Sequence, residues 1–105
     1  MKSENLNTET CGDILRVTGL DRLSATNAML FKEVTLAQLA AEHRFVDVDA
    51  TGISFIDSDG LGALIAVQRR LTPRQGRVRL LRPQVMVLQL LELLRMEQVF
   101  DIVKR

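Results

Sequence analysis

The run Val46-Asp47-Val48-Asp49-Ala50-Thr51-Gly52-Ile53-Ser54-Phe55-Ile56-Asp57-Ser58-Asp59-Gly60-Leu61-Gly62-Ala63-Leu64 constrains the fold more than any other segment. Its first part alternates apolar and acidic residues, the period of a strand with one buried face. Its last part opens an apolar helical pattern directly after three oxygen-bearing side chains. Asp and Ser are favoured at such a place because their oxygens accept hydrogen bonds from the first backbone N–H groups of a helix, which have no partner inside it. The positive end of the helix dipole also favours negative charge there. The segment therefore reads as a buried strand that delivers Ser58 to the mouth of a helix over about Asp59 to Leu71.

Ser58 has two roles open to it: to cap that helix and nothing more, or to be displayed for chemistry. On a helical wheel Leu61, Leu64, Ile65, Val67 and Leu71 fall on one side, while Ser58, Gly62, Ala66 and Arg69 form a row on another. Small residues in such a row either let a neighbouring helix approach closely or leave a smooth surface for a partner.

The rest of the chain alternates strands and helices. Leu6 to Thr10 and Asp13 to Thr18 read as two short strands around a Cys11-Gly12-Asp13 turn. From Ser24 or Thr26 to about Ala41, Leu30, Val34, Ala37 and Ala41 recur at helical spacing, with Lys32, Thr35, Gln38 and Glu42 on another side. Arg44 to Asp49 is the next strand. Pro73-Arg74-Gln75-Gly76 breaks the chain before a strand at Arg77 to Leu81, and Pro83 starts a third helix to about Arg95. Leu15 and Val17, Val46 and Val48, and Val78 and Leu80 each oppose polar or charged neighbours, so one sheet face is apolar and the other mixed. A sheet covered on both faces would show nearly continuous apolar strands. Helices are therefore expected mainly on one face, with Arg16, Arg77 and Arg79 able to offset Asp47 and Asp49 on the other. On the third helix, Leu88 and Val85 beside the polar row Gln84, Glu92 and Arg95 mark an apolar patch that the C-terminal segment is expected to cover.

Composition excludes several function classes. A chain of 105 residues that is 47% hydrophobic fits one modest core, hence a single domain over 1–105. A formal net charge of +1, with four aromatic residues that are all Phe, gives neither a field for phosphates nor a platform for bases, so nucleic acid is not an expected partner. No apolar stretch is long enough to span a bilayer, and Met1 to Asn7 lacks the features of a leader, so a cytoplasmic location without membrane insertion is expected. Cys11 and His43 each stand alone, which allows no internal disulfide and no usual zinc ligand set. No Ser/His/Asp order or phosphate-cradling glycine loop is present, so the chain reads as a binding module without catalytic residues, metal or cofactor. A monomer or weak dimer is expected.

Phe55-Ile56-Asp57-Ser58-Asp59-Gly60-Leu61-Gly62-Ala63-Leu64 resembles the signature of the STAS domain family of bacterial anti-sigma factor antagonists, in which an apolar strand end runs into Asp-Ser-Ser/Thr-Gly-Leu-Gly and a helix. The order of elements along most of the chain is similar as well. The resemblance implies an α/β fold with a four- to five-stranded mixed sheet and helices packed mainly on one face. It implies that Ser58 is phosphorylated by a partner anti-sigma factor serine kinase, which the unphosphorylated chain sequesters. Asp59 departs from the pattern, standing where the family usually has a second Ser or Thr. The surface implied for the partner comprises Asp57, Ser58, Asp59, Gly60, Leu61, Gly62, Ala66 and Arg69, with Asp21 from a Gly19-Leu20-Asp21 loop similar to the family's Gly-x-Leu-Asp. The alternative is a non-phosphorylated accessory subunit of an ABC-type lipid transport system, acting through the same face.

Overall fold

A sheet whose strands are apolar on one side only can be covered on one side only, and this requirement shapes the molecule. The computed structural model describes residues 6–104, so most of the Met1 to Asn7 stretch considered above for a leader lies outside the described residues. Strands β1 (Asn7–Cys11) and β2 (Ile14–Thr18) form an antiparallel hairpin. Helix α1 (Ala28–Gln38), strand β3 (Phe45–Asp49), helix α2 (Ser58–Leu71), strand β4 (Arg77–Leu81), helix α3 (Val85–Leu93) and strand β5 (Asp101–Val103) follow. The five strands lie in chain order, and β2 to β5 run parallel. Parallel neighbours joined through a helix take right-handed crossovers. Because the strand order advances in one direction, three crossovers of one hand bring all three helices to the same face.

The core confirms this layering. Leu15, Val17, Val46, Val48, Val78 and Leu80 from the sheet share one buried cluster with Phe31 of α1, Leu64, Val67 and Leu71 of α2, Val87 and Leu91 of α3, and Phe100. Gln68 is a buried polar side chain within that layer. Its amide donates to the Gly76 carbonyl at 3.1 Å and its oxygen accepts from Val78 N–H at 2.8 Å, so it satisfies the backbone where α2 hands over to β4.

The opposite face carries charge in register. Glu9 pairs with Arg16, Arg16 with Asp47, Asp47 with Arg79 and Arg79 with Asp101, a row of alternating sign across all five strands. Opposite charges on adjacent strands attract, and like charges there repel. Arg79 makes the strongest link: its Nε and a terminal nitrogen bond the two Asp47 oxygens at 2.6 and 3.1 Å, while its guanidinium lies 4.2 Å over the Phe45 ring. Asp47 is buried, so its carboxylate oxygens take their hydrogen bonds from this fork and not from water. Arg77 meets Asp101 at 3.0 Å with both side chains partly exposed.

Three expectations need correction. Helix α1 begins at Ala28, after a turn in which Asn27 Oδ1 accepts from Ser24 N–H, and it buries Ala28, Phe31 and Thr35. Leu30, expected on the core side, is 40% exposed, whereas Thr35, expected outside, is fully buried. The large ring of Phe31 sets the rotation of this helix, and the alanines that suggested the other phase fit equally well in water. The α3 patch is covered only in part: Leu88 is half-buried but Val85 is exposed, and Met86, Leu93 and Leu94 nearby are exposed as well.

Replacing Arg79 by Met strands a buried carboxylate, with an expected loss of about 2 kcal/mol of stability in urea unfolding. The same change at Arg77 removes a partly exposed ion pair and is expected to cost less than about 1 kcal/mol. Equal losses at the two positions would refute this account of the charged face.

Candidate functional site

The capping oxygen of α2 comes from Asp57. That residue is extended (φ −116°, ψ −172°), and one carboxylate oxygen accepts from Gly60 N–H at 3.0 Å. Its other oxygen accepts from Ala25 N–H at 3.1 Å, just ahead of α1. The hydrogen bond from Gly60, followed by the one from Ala25, holds the Asp57 carboxyl below the usual carboxylate range. Ser58 is thus the first residue of the helix and not its cap. It is exposed, and among the described residues no hydrogen bond to its Oγ is made. Of the two roles open to Ser58 in the sequence, capping belongs to its neighbour.

Beside Ser58 a groove of about 410 Å³ runs between the starts of α1 and α2. Ala25, Ala28, Met29 and Lys32 line one wall, and Ser58, Asp59, Gly62 and Ala63 the other. Met29 and Phe55 are large apolar side chains exposed by 67% and 55%, the first on the groove wall and the second three residues before Ser58.

The two glycines of the motif do opposite work. A Cβ on Gly60 would stand 2.0 Å from the Leu23 carbonyl oxygen, so this buried residue lets α2 close onto the chain ahead of α1. A Cβ on Gly62 would meet nothing within 4 Å, because Gly62 faces the open groove. Ser58, Asp59 and Gly62 are therefore brought together on one wall. Asp57 and Gly60 build the helix start beneath them, and Leu61 is half-buried against the core. Ala66 and Arg69 continue along α2 beyond the groove lining, half-buried and exposed respectively. Asp21 is exposed and pairs with Arg22 at 3.5 Å, while its carbonyl accepts from the Ser54 N–H and hydroxyl, which ties its loop to the β3–α2 connection. Asp21 does not line the groove. Sequence reasoning missed Met29 and Lys32, whose place opposite Ser58 arises only from the packing of α1 on α2.

The fold has counterparts among known proteins. A Thermotoga maritima protein named as a candidate anti-sigma factor antagonist superposes with a TM-score of 0.86 at 19% identity, covering 95% of this chain and 86% of that one. The Bacillus cell fate determinant SpoIIAA in its phosphorylated form superposes with a TM-score of 0.69 at 16% identity, covering 93% and 90%. The murine anion transporter Slc26a9 contains a similar unit, with a TM-score of 0.66 at 18% identity, covering 80% of this chain and 14% of the transporter. No match was found among curated proteins.

Alanine at Gly60 is expected to cost about 2 kcal/mol through overpacking against Leu23. Alanine at Gly62 is expected to leave stability unchanged or raise it by up to about 1 kcal/mol, as Ala does over Gly inside a helix. Thermal melts of the two variants check the contrast. Because the folded Asp57 carboxyl ionises below its unfolded value, its contribution to stability is present above that unfolded value. It is lost as pH falls through the folded one. Asp57→Ala is expected to lower the Tm at neutral pH, and Asp57→Asn to keep most of the cap while removing part of the acid sensitivity below about pH 4.

The family model of the STAS domain matches residues 5–105, and the chain belongs to the STAS domain family.

Proposed function

We propose that this protein is an anti-sigma factor antagonist that docks its Ser58 face on an anti-sigma factor kinase, in the cytoplasm, and is released when Ser58 is phosphorylated. The observation that carries this reading is a serine hydroxyl at the family motif position, exposed beside an open groove while Asp57 does the capping. The kinase would supply the nucleotide. The Ser58 Oγ–phosphorus bond forms as the bond from phosphorus to the bridging oxygen of ATP breaks, ADP leaves, and the hydroxyl proton passes to the kinase. The product carries about −1.5 to −2 additional charge at neutral pH. Buried against a protein partner, that charge must lose its water, and Asp57 and Asp59 already stand on either side of it. The partner-binding surface in this reading is the groove wall Ser58, Asp59 and Gly62, extended by Ala66 and Arg69 along α2 and by Asp21 on the adjoining loop. Asp57, Gly60 and Leu61 hold that wall in place.

Incubation with the cognate kinase and ATP, followed by peptide mass mapping, is expected to place one phosphoryl group on Ser58. Ser58→Ala is expected to bind the kinase without being modified, and the phosphorylated chain to bind it at least about tenfold more weakly. Modification at another residue, or none, counts against the proposal.

A second reading is a non-phosphorylated accessory subunit of an ABC-type lipid transport system. What supports it is the similar unit within an anion transporter, where this fold is part of a transport protein. It predicts stable copurification with a transporter ATPase and full tolerance of Ser58→Ala.

A further inference from the structure

The wall facing Ser58 carries a cation. Ala28, Met29 and Lys32 are spaced by one, three and four residues on α1, which places them on one side of that helix, and all three line the groove. Lys32 is half-buried, so its stem lies along the wall while its ammonium can reach across on a flexible four-carbon chain. Among the described residues no carboxylate lies within salt-bridge distance of it. Asp59 is the other ionisable side chain of the groove lining. The unmodified groove thus holds one positive and one negative charge.

A phosphoryl group on Ser58 changes that balance. Asp57 and Asp59 flank it and repel it, and the Asp57 oxygens are already committed to Gly60 N–H and Ala25 N–H. The start of α2 attracts it, and so does Lys32 across the groove. Gly62 leaves the space between the walls open, with nothing within 4 Å of where a Cβ would stand. We propose that Lys32 is the counter-charge of phosphorylated Ser58, drawing the phosphoryl group into the α1–α2 groove and taking Met29 and the groove floor out of reach of a partner. The inference rests on the phosphorylation switch proposed above. It gives the modified state a contact of its own, beyond the repulsion of a partner, and it gives Asp59 a part as the carboxylate that competes for the same ammonium.

The test installs phosphoserine at position 58 during translation, so that no kinase is needed, and follows its second ionisation by phosphorus NMR in the full chain. That ionisation lies near pH 6 for an unperturbed phosphoserine. Against wild type, Lys32→Met is expected to raise it by about 0.5 pH units, the size of one nearby charge partly screened by water, and Lys32→Arg to restore it. Coincident titrations of wild type and Lys32→Met would overturn the inference. If the kinase leaves Ser58 unmodified, the functional proposal fails while this titration still reports on Lys32. If the kinase modifies Ser58 and the titrations coincide, the switch stands and the role of Lys32 falls.

Discussion

Everything at the candidate site depends on how the chain around Leu23 is held against the chain around Ile56. Leu23 N–H donates to the Phe55 carbonyl at 2.9 Å, Asp57 N–H donates to the Leu23 carbonyl at 3.2 Å, and Leu23 and Ile56 form an isolated parallel bridge. Leu23 itself is fully buried. Gly60 allows α2 to start directly against the Leu23 carbonyl, and the Asp57 carboxylate joins the first turn of α2 to the backbone leading into α1. Two helices from different crossovers are thereby made to begin side by side. The groove is the gap left between those two beginnings.

The parts of this arrangement that depend on local pattern were legible in the sequence. Strands β2, β3 and β4 alternate cleanly because only one face of the sheet is covered, and the Ser58 helix announces itself through its acidic start and its apolar stripe. The parts that depend on pairing were not. Glu9, Arg16, Asp47, Arg79 and Asp101 are scattered along the chain, and only the strand register turns them into one row. The choice between Asp57 and Ser58 as the cap turns on the extended backbone of Asp57, and adjacent Asp and Ser residues are both competent for that role. The phase of α1 does not follow from its pattern, because Leu30, Val34, Ala37 and Ala41 offer a stripe that the buried Phe31 overrules. Lys32 stayed hidden for a related reason, since a lysine on a polar helix face has no signal until another helix is placed beside it.

Within the motif, structural and displayed positions are interleaved. Asp57 and Gly60 make the contacts that fix the start of α2, and Ala63 and Leu64 enter the core. Ser58, Asp59 and Gly62 alternate with them and face outward. This follows from helical geometry, in which residues three or four apart share a side. A short signature can therefore encode a rigid platform and a display surface together, and single substitutions only one or two residues apart act on different properties.

That separation decides what kind of switch the site can support. The Ser58 hydroxyl contributes no hydrogen bond to the fold among the described residues, and the cap that anchors its helix uses a different side chain. A phosphoryl group there would enter a groove already open to solvent, with no core residue displaced to admit it. Its effect would then be carried by charge and hydration at the surface, of a size that a partner feels on docking, while the sheet and its charged rear face keep their geometry. A conformational switch would need the added charge to compete with a contact that holds the structure together. The Ser58 hydroxyl itself makes no such contact, so the groove and the partner that would face it are the places where the energy difference can be expressed.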